Sequence, residues 1–75
     1  MKSEFNYPLF NFNGKLELRF EHDVVCVYGT EEGLSELIVI IQELIDNPNM
    51  GHIHLEDRPN FLTKESKNGA VAIFD

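Results

Sequence analysis

Between Lys15 and Glu21 the chain alternates, with Leu16, Leu18 and Phe20 on one side and Glu17, Arg19 and Glu21 on the other. A period of two puts each set on one face of an extended segment. The pattern predicts a half-buried antiparallel strand with its charged residues turned to water. Asn13-Gly14 just before it is the dipeptide favoured in type I′ hairpin turns, whose central positions need a positive φ. The pairing strand would be Phe5 to Phe12, although Pro8 lacks a backbone donor and confines that strand to an edge. Residues 1–14 therefore read as an edge strand or an N-terminal extension. A short turn at Glu21-His22-Asp23 leads into Val24–Tyr28, a second strand that is apolar on both faces.

Periodicity then changes from 2 to 3.6. Thr30 is a helix N-cap, since its hydroxyl can accept from an otherwise orphan backbone N–H, and Glu31 and Glu32 follow where the helix dipole favours negative charge. The helix is expected to run to about Asp46 and stop before Asn47-Pro48, because the residue ahead of a proline avoids helical geometry. On a helical wheel Leu34, Leu37, Ile38, Ile41, Leu44 and Ile45 form one stripe, flanked by Ile40, and this stripe is the expected core face.

Alternation returns at His52–Glu56, with Ile53 and Leu55 on one face and His52, His54 and Glu56 on the other. Asp57 to Asn68 is polar and contains Pro59, so it reads as a long loop anchored by Phe61 and Leu62. Ala70–Phe74 is the last strand. The order β-β-β-α-β-β implies an α+β fold: a mainly antiparallel sheet with one amphipathic helix on one face. At 75 residues the chain is a single domain, 1–75, with no internal linker. The second and last strands are apolar on both faces, yet one helix covers only one. Either the aromatic N-terminal segment or a second subunit is expected over the other.

Composition narrows the function. The single cysteine, Cys26, excludes an internal disulfide and points to a reducing compartment. No apolar run is long enough to span a membrane, and the first residues lack the charged start and apolar centre of a signal peptide, so the expected location is cytoplasmic. Thirteen acidic residues against six basic give a formal charge of −7. That surface repels phosphate backbones, which disfavours a nucleic-acid partner, and attracts basic proteins. The ordinary alternative is that acidity serves solubility alone.

Candidate chemistry is sparse. His-x-His on a strand places two imidazoles on one face, where His52, His54 and Glu56 are candidate ligands for zinc, with His22 as a further histidine. Against that stands a pair of exposed histidines bonded to polar neighbours. Cys26 sits in Val-Val-Cys-Val-Tyr, the setting of a buried apolar thiol rather than of a nucleophile. No phosphate-cradling glycine loop, dinucleotide fingerprint or Ser-His-Asp order occurs. A binding protein rather than an enzyme is expected.

The helix face away from the stripe is more informative. Glu32, Glu36, Val39, Glu43 and Asp46 fall within about one quadrant of the wheel, and the helix contains no lysine or arginine. An apolar centre ringed by charge is the composition of a contact patch. An ordinary solvated face with one stray valine is the alternative.

At Gly51-His52-Ile53-His54-Leu55 the chain resembles immunity protein family 32 of bacterial polymorphic-toxin systems. The corresponding pieces are the strand Val24–Gly29, the helix from Glu32-Gly33-Leu34 through Ile45, His52-Ile53-His54-Leu55, Leu62 with Ser66, and Val71–Phe74. They cover about Leu16 to Phe74. Asn68-Gly69 ahead of the last strand departs from the family pattern. The resemblance implies an intracellular immunity protein that neutralises a cognate toxin by binding it, with the histidine pair as a recurring feature of the family strand. Charge complementarity adds that the toxin would be basic. Two further readings stand beside this one: a metal-binding protein or metal-dependent enzyme built on His52, His54 and Glu56, and a structural homodimer formed through the open sheet face.

Overall fold

The computed structural model describes residues 14–74. Strands β1 (Leu16–Glu21) and β2 (Val24–Gly29) pair antiparallel, with Leu18 opposite Val27 and Phe20 opposite Val25. His22 and Asp23 join them with φ of 51° and 61°. Two consecutive positive φ values are the signature of a type I′ turn, whose twist matches that of the flanking strands. Helix α1 (Glu31–Asp46) follows at once. Its N-cap is Thr30, whose Oγ1 accepts from Gly33 N at 3.0 Å. After a 3-10 turn at Pro48–Met50 come β3 (His52–His54), a second 3-10 turn at Leu55–Asp57, and finally β4 (Ala70–Ala72), antiparallel to β3.

The α+β class and the expected helix limits agree with this structure. The single sheet does not: the described strands form two separate two-stranded sheets, β1-β2 and β3-β4. The expected strand at 5–12 and the residue Asn13 of its turn lie outside the described residues. Two strands are also shorter than the pattern suggests. Residues 55–57 curl into a 3-10 turn instead of extending β3, and β4 ends at Ala72.

The polar loop expected between residues 57 and 68 is largely a strand substitute. Lys15 N and Leu16 N both donate to Phe61 O, at 2.7 and 2.9 Å, and Thr63 N donates to Leu16 O at 3.0 Å. Further along, Leu18 N donates to Ser66 Oγ at 2.8 Å and Lys67 N to Leu18 O at 2.9 Å. The loop thus satisfies the edge of β1 that β2 leaves open, a protection that exposed edges otherwise need. Phe61 is buried, as its expected anchoring role requires, and Leu62 packs beside it. Leu16, Ile40, Leu55 and Phe61 form the core, with Leu18, Leu37, Ile53, Leu62 and Val71 packed around it.

Alternation along β1 is only half obeyed. Leu16 and Leu18 point inward as expected, but Phe20 is exposed and Glu17 is only 1% exposed. Glu17 is accommodated because the Thr63 hydroxyl donates to its Oε1 and Arg19 Nε lies 3.2 Å from its Oε2. Arg19 also reaches Glu21 at 3.4 Å, and Tyr28 donates its hydroxyl to Glu21 at 2.7 Å. The charged face of this hairpin is therefore a polar network beside the buried Cys26 and Tyr28, half-exposed at Arg19 and Glu21, in which the buried Glu17 Oε2 meets Arg19 as an ion pair without a hydrogen bond.

Candidate functional site

Helix α1 carries three parallel lines of residues, each with the 4-3-4 spacing that keeps side chains aligned along a helix. Gly33, Leu37, Ile40 and Leu44 face the core, where Gly33, Ile40 and Leu44 are buried and Leu37 is half-buried. One residue later, Leu34, Ile38, Ile41 and Ile45 form an apolar line that is exposed throughout. One residue earlier, Glu32, Glu36, Val39 and Glu43 form the acidic line. At about 100° per residue the two outer lines lie on opposite flanks of the core line.

This rotation corrects the expected core stripe. Ile40 is 0% exposed while Ile38 is 66% exposed. Gly33 is the physical reason: a β-carbon there would overlap Lys15 O, so the missing side chain lets the helix press against the start of β1. That close approach turns Ile40 and Leu44 inward and leaves part of the apolar arc uncovered.

The acidic residues sit on a flank rather than opposite the core, and other elements reach part of them. Lys15 Nζ lies 3.1 Å from Glu32 and 3.6 Å from Glu36, and Arg58 Nη2 lies 2.7 Å from Glu43. The hydrogen bond to Glu32, then its charge, holds the Lys15 ammonium above its ordinary pKa. Val39 stands between these carboxylates and is 62% exposed. Asp46 is further round, accepting from Gln42 Nε2 at 2.9 Å. The helix has no cation of its own; Lys15 and Arg58 supply two from elsewhere, which no local pattern announces.

The histidine pair is formed as the His-x-His spacing predicts. Both side chains are exposed on β3, and the His52 and His54 rings meet edge to face at 4.9 Å. His54 Nδ1 lies 2.9 Å from Glu56 Oε2, while Glu56 Oε1 accepts from Gly69 N at 3.2 Å. Glu56's own amide, then that of Gly69, stabilises the charged carboxylate; His54 adds to this, and against the opposing effect of burial the pKa is held below the usual range. Among the described residues no three His, Cys, Asp or Glu side chains gather as a set of metal ligands. His22 is at the hairpin tip. Glu56 sits on the 3-10 turn Leu55–Asp57 rather than on an extended strand, yet stays bonded to His54.

Cys26 is buried, and its Sγ donates to Val24 O at 3.7 Å. Burial first, then the Glu21 carboxylate, pushes the thiol's pKa up, away from the thiolate that nucleophilic chemistry needs.

Sequence reasoning did not anticipate a groove of about 350 Å³ beside α1. Its walls are mainly apolar, from Leu18, Phe20, Val25, Val27, Leu37 and Val71. Val25 and Val27 are exposed on this side, which accounts for the two apolar faces of β2: Cys26 and Tyr28 occupy the other. No helix among the described residues is long and apolar enough to cross a membrane. No family model, curated protein or solved structure matches the chain.

Proposed function

We propose that the chain works by contact with another protein rather than by catalysis, docking the acidic line of α1 on a basic surface. The observation that carries this reading is Val39, an exposed apolar side chain set among Glu32, Glu36 and Glu43. Contact patches are built this way: an apolar centre supplies burial, and the charged surroundings supply register and steering. The formal charge of −7 selects a basic partner. Lys15 and Arg58 neutralise the line only in part, because these pairs are partly exposed and such pairs contribute little. A partner's arginines can therefore replace them.

The resemblance to immunity protein family 32 would give the partner its biological form, a toxin whose active surface is covered when the helix docks. That form rests on the resemblance; the contact mode rests on Val39 and its acidic neighbours. The test is capture by the immobilised chain from a lysate of its source cells at low and high salt. A basic protein is expected to be retained at low ionic strength and released as exposed charges are screened. Retention indifferent to salt, or of acidic proteins, would contradict this docking mode.

A further inference from the structure

The acidic line leaves the other flank of α1 unexplained. We infer that Leu34, Ile38, Ile41 and Ile45 form the contact between two copies of this chain, packed antiparallel across a two-fold axis. The spacing is that of alternating d and a positions, the seam by which helices pair. Placing the axis between Val39 and Ile40 sets Ile38 against Ile41 of the second copy, and Leu34 against its Ile45. Each contact then occurs twice, as an isologous interface requires.

The neutral centre of the seam permits a second copy in spite of the chain's net acidity. The residues flanking the seam are Ser35 and Gln42 on one side and Leu37 and Leu44 on the other, none of them charged. The line of Glu32, Glu36 and Glu43 points away on the opposite flank, so the carboxylates that approach each other across the axis are confined to the ends of the seam, Glu31 of one copy near Asp46 of the other. Direction follows from Glu31, which continues the seam at the helix N-terminus. Parallel packing would set it against its own counterpart, whereas antiparallel packing separates the two and also aligns the helix dipoles favourably.

Area is sufficient. Taken together, the exposed surfaces of the four seam residues and of the groove wall at Phe20, Val25 and Val27, joined to the seam through Leu37, approach one side of a standard interface in size. A standard interface uses about 800 Å² per partner. The arrangement would leave both acidic lines facing outward, so self-association and the proposed docking do not compete for one surface.

Sedimentation equilibrium of the full chain from about 5 to about 500 µM tests this. The wild type is expected to pass from its monomer mass of 8.6 kDa to twice that value. Ile38→Glu/Ile41→Glu is expected to remain monomeric, with association weakened by about a hundredfold or more and an unchanged helical circular dichroism spectrum. Ser35→Glu/Gln42→Glu, which touches no apolar residue, should weaken dimers about fivefold at low salt, and Ser35→Lys/Gln42→Glu should restore them. A wild type that stays monomeric overturns the inference and leaves this apolar face to the chain's own N-terminal segment or to a different protein. Dimers that tolerate all these changes overturn it too, and place the interface elsewhere.

Discussion

The rotation of α1 about its axis has a direct energetic consequence, tested by truncating two neighbouring isoleucines. Ile40 is 0% exposed and belongs to the core; Ile38 is 66% exposed. Ile40→Ala removes three buried carbons, a loss of about 2.5 kcal/mol in transfer free energy, and any cavity that fails to collapse adds to it. The expected cost is about 3–4 kcal/mol. Ile38→Ala forfeits only about a third of the same transfer term, and the better helix propensity of alanine returns about half of that. Its expected cost is about 0.5 kcal/mol or less. A domain of this size has a total stability of roughly 4–11 kcal/mol, so the first substitution removes a large share and the second is barely visible. Urea unfolding followed by circular dichroism, on samples dilute enough to be free of self-association, separates them. In a thermal melt Ile40→Ala should lower Tm by roughly 15–25 °C and Ile38→Ala by no more than about 4 °C. Equal costs, or a larger cost at Ile38, would place the helix in the register suggested by its hydrophobic stripe and refute the three-line description. At higher protein concentration Ile38→Ala should acquire a concentration-dependent cost that Ile40→Ala lacks.

Gly33→Ala should destabilise despite its gain in helix propensity, since the new β-carbon meets the Lys15 carbonyl; a neutral or raised melting temperature would contradict the close approach. Tyr28 should titrate with a midpoint of about 12, raised first by its hydrogen bond to Glu21 and then by burial. Because the folded value lies above the unfolded value of about 10, this contribution to stability is complete below pH ~10 and disappears as pH rises through the folded midpoint. Ultraviolet titration should show a high-pH phenol that Glu21→Gln brings down. Glu56 has the opposite sign: its folded pKa is lowered, so its contribution is present above the ordinary glutamate range and is lost as pH falls through the lowered value. Carboxyl NMR titration should find its midpoint below those of exposed glutamates. Cys26 should react slowly with a thiol reagent in the native protein and at full rate in denaturant; fast native labelling would refute its burial.

Much of the fold is legible in local patterns. Thr30, the acidic first turn and Asn47-Pro48 delimit α1 because capping and proline sterics act over a few residues. The strand at β1 and the anchoring by Phe61 follow from alternation and from an isolated apolar pair in a polar loop. The burial of Glu17 does not, because its partner Thr63 lies 46 residues away in sequence. Ser66 capping Leu18 is equally remote, which is why the 57–68 loop reads as unpaired. At the candidate site the five acidic-face residues are identifiable from spacing, but Lys15 and Arg58 join them only through the tertiary fold. Gly33 was the available signal for the rotation of α1: a glycine inside a helix costs about 1 kcal/mol against alanine, and its presence invites a close approach on that side.

A division of the exposed surface of α1 between a seam and a partner-binding line can be read out by comparative capture with quantitative mass spectrometry. Wild-type chain, Val39→Asp and Ile38→Glu/Ile41→Glu would be immobilised in parallel and exposed to the same source-cell lysate at low salt. A basic protein is expected to be retained by the wild type and by the seam variant, and lost with Val39→Asp. Loss with the seam variant while Val39→Asp still captures that protein would contradict the account.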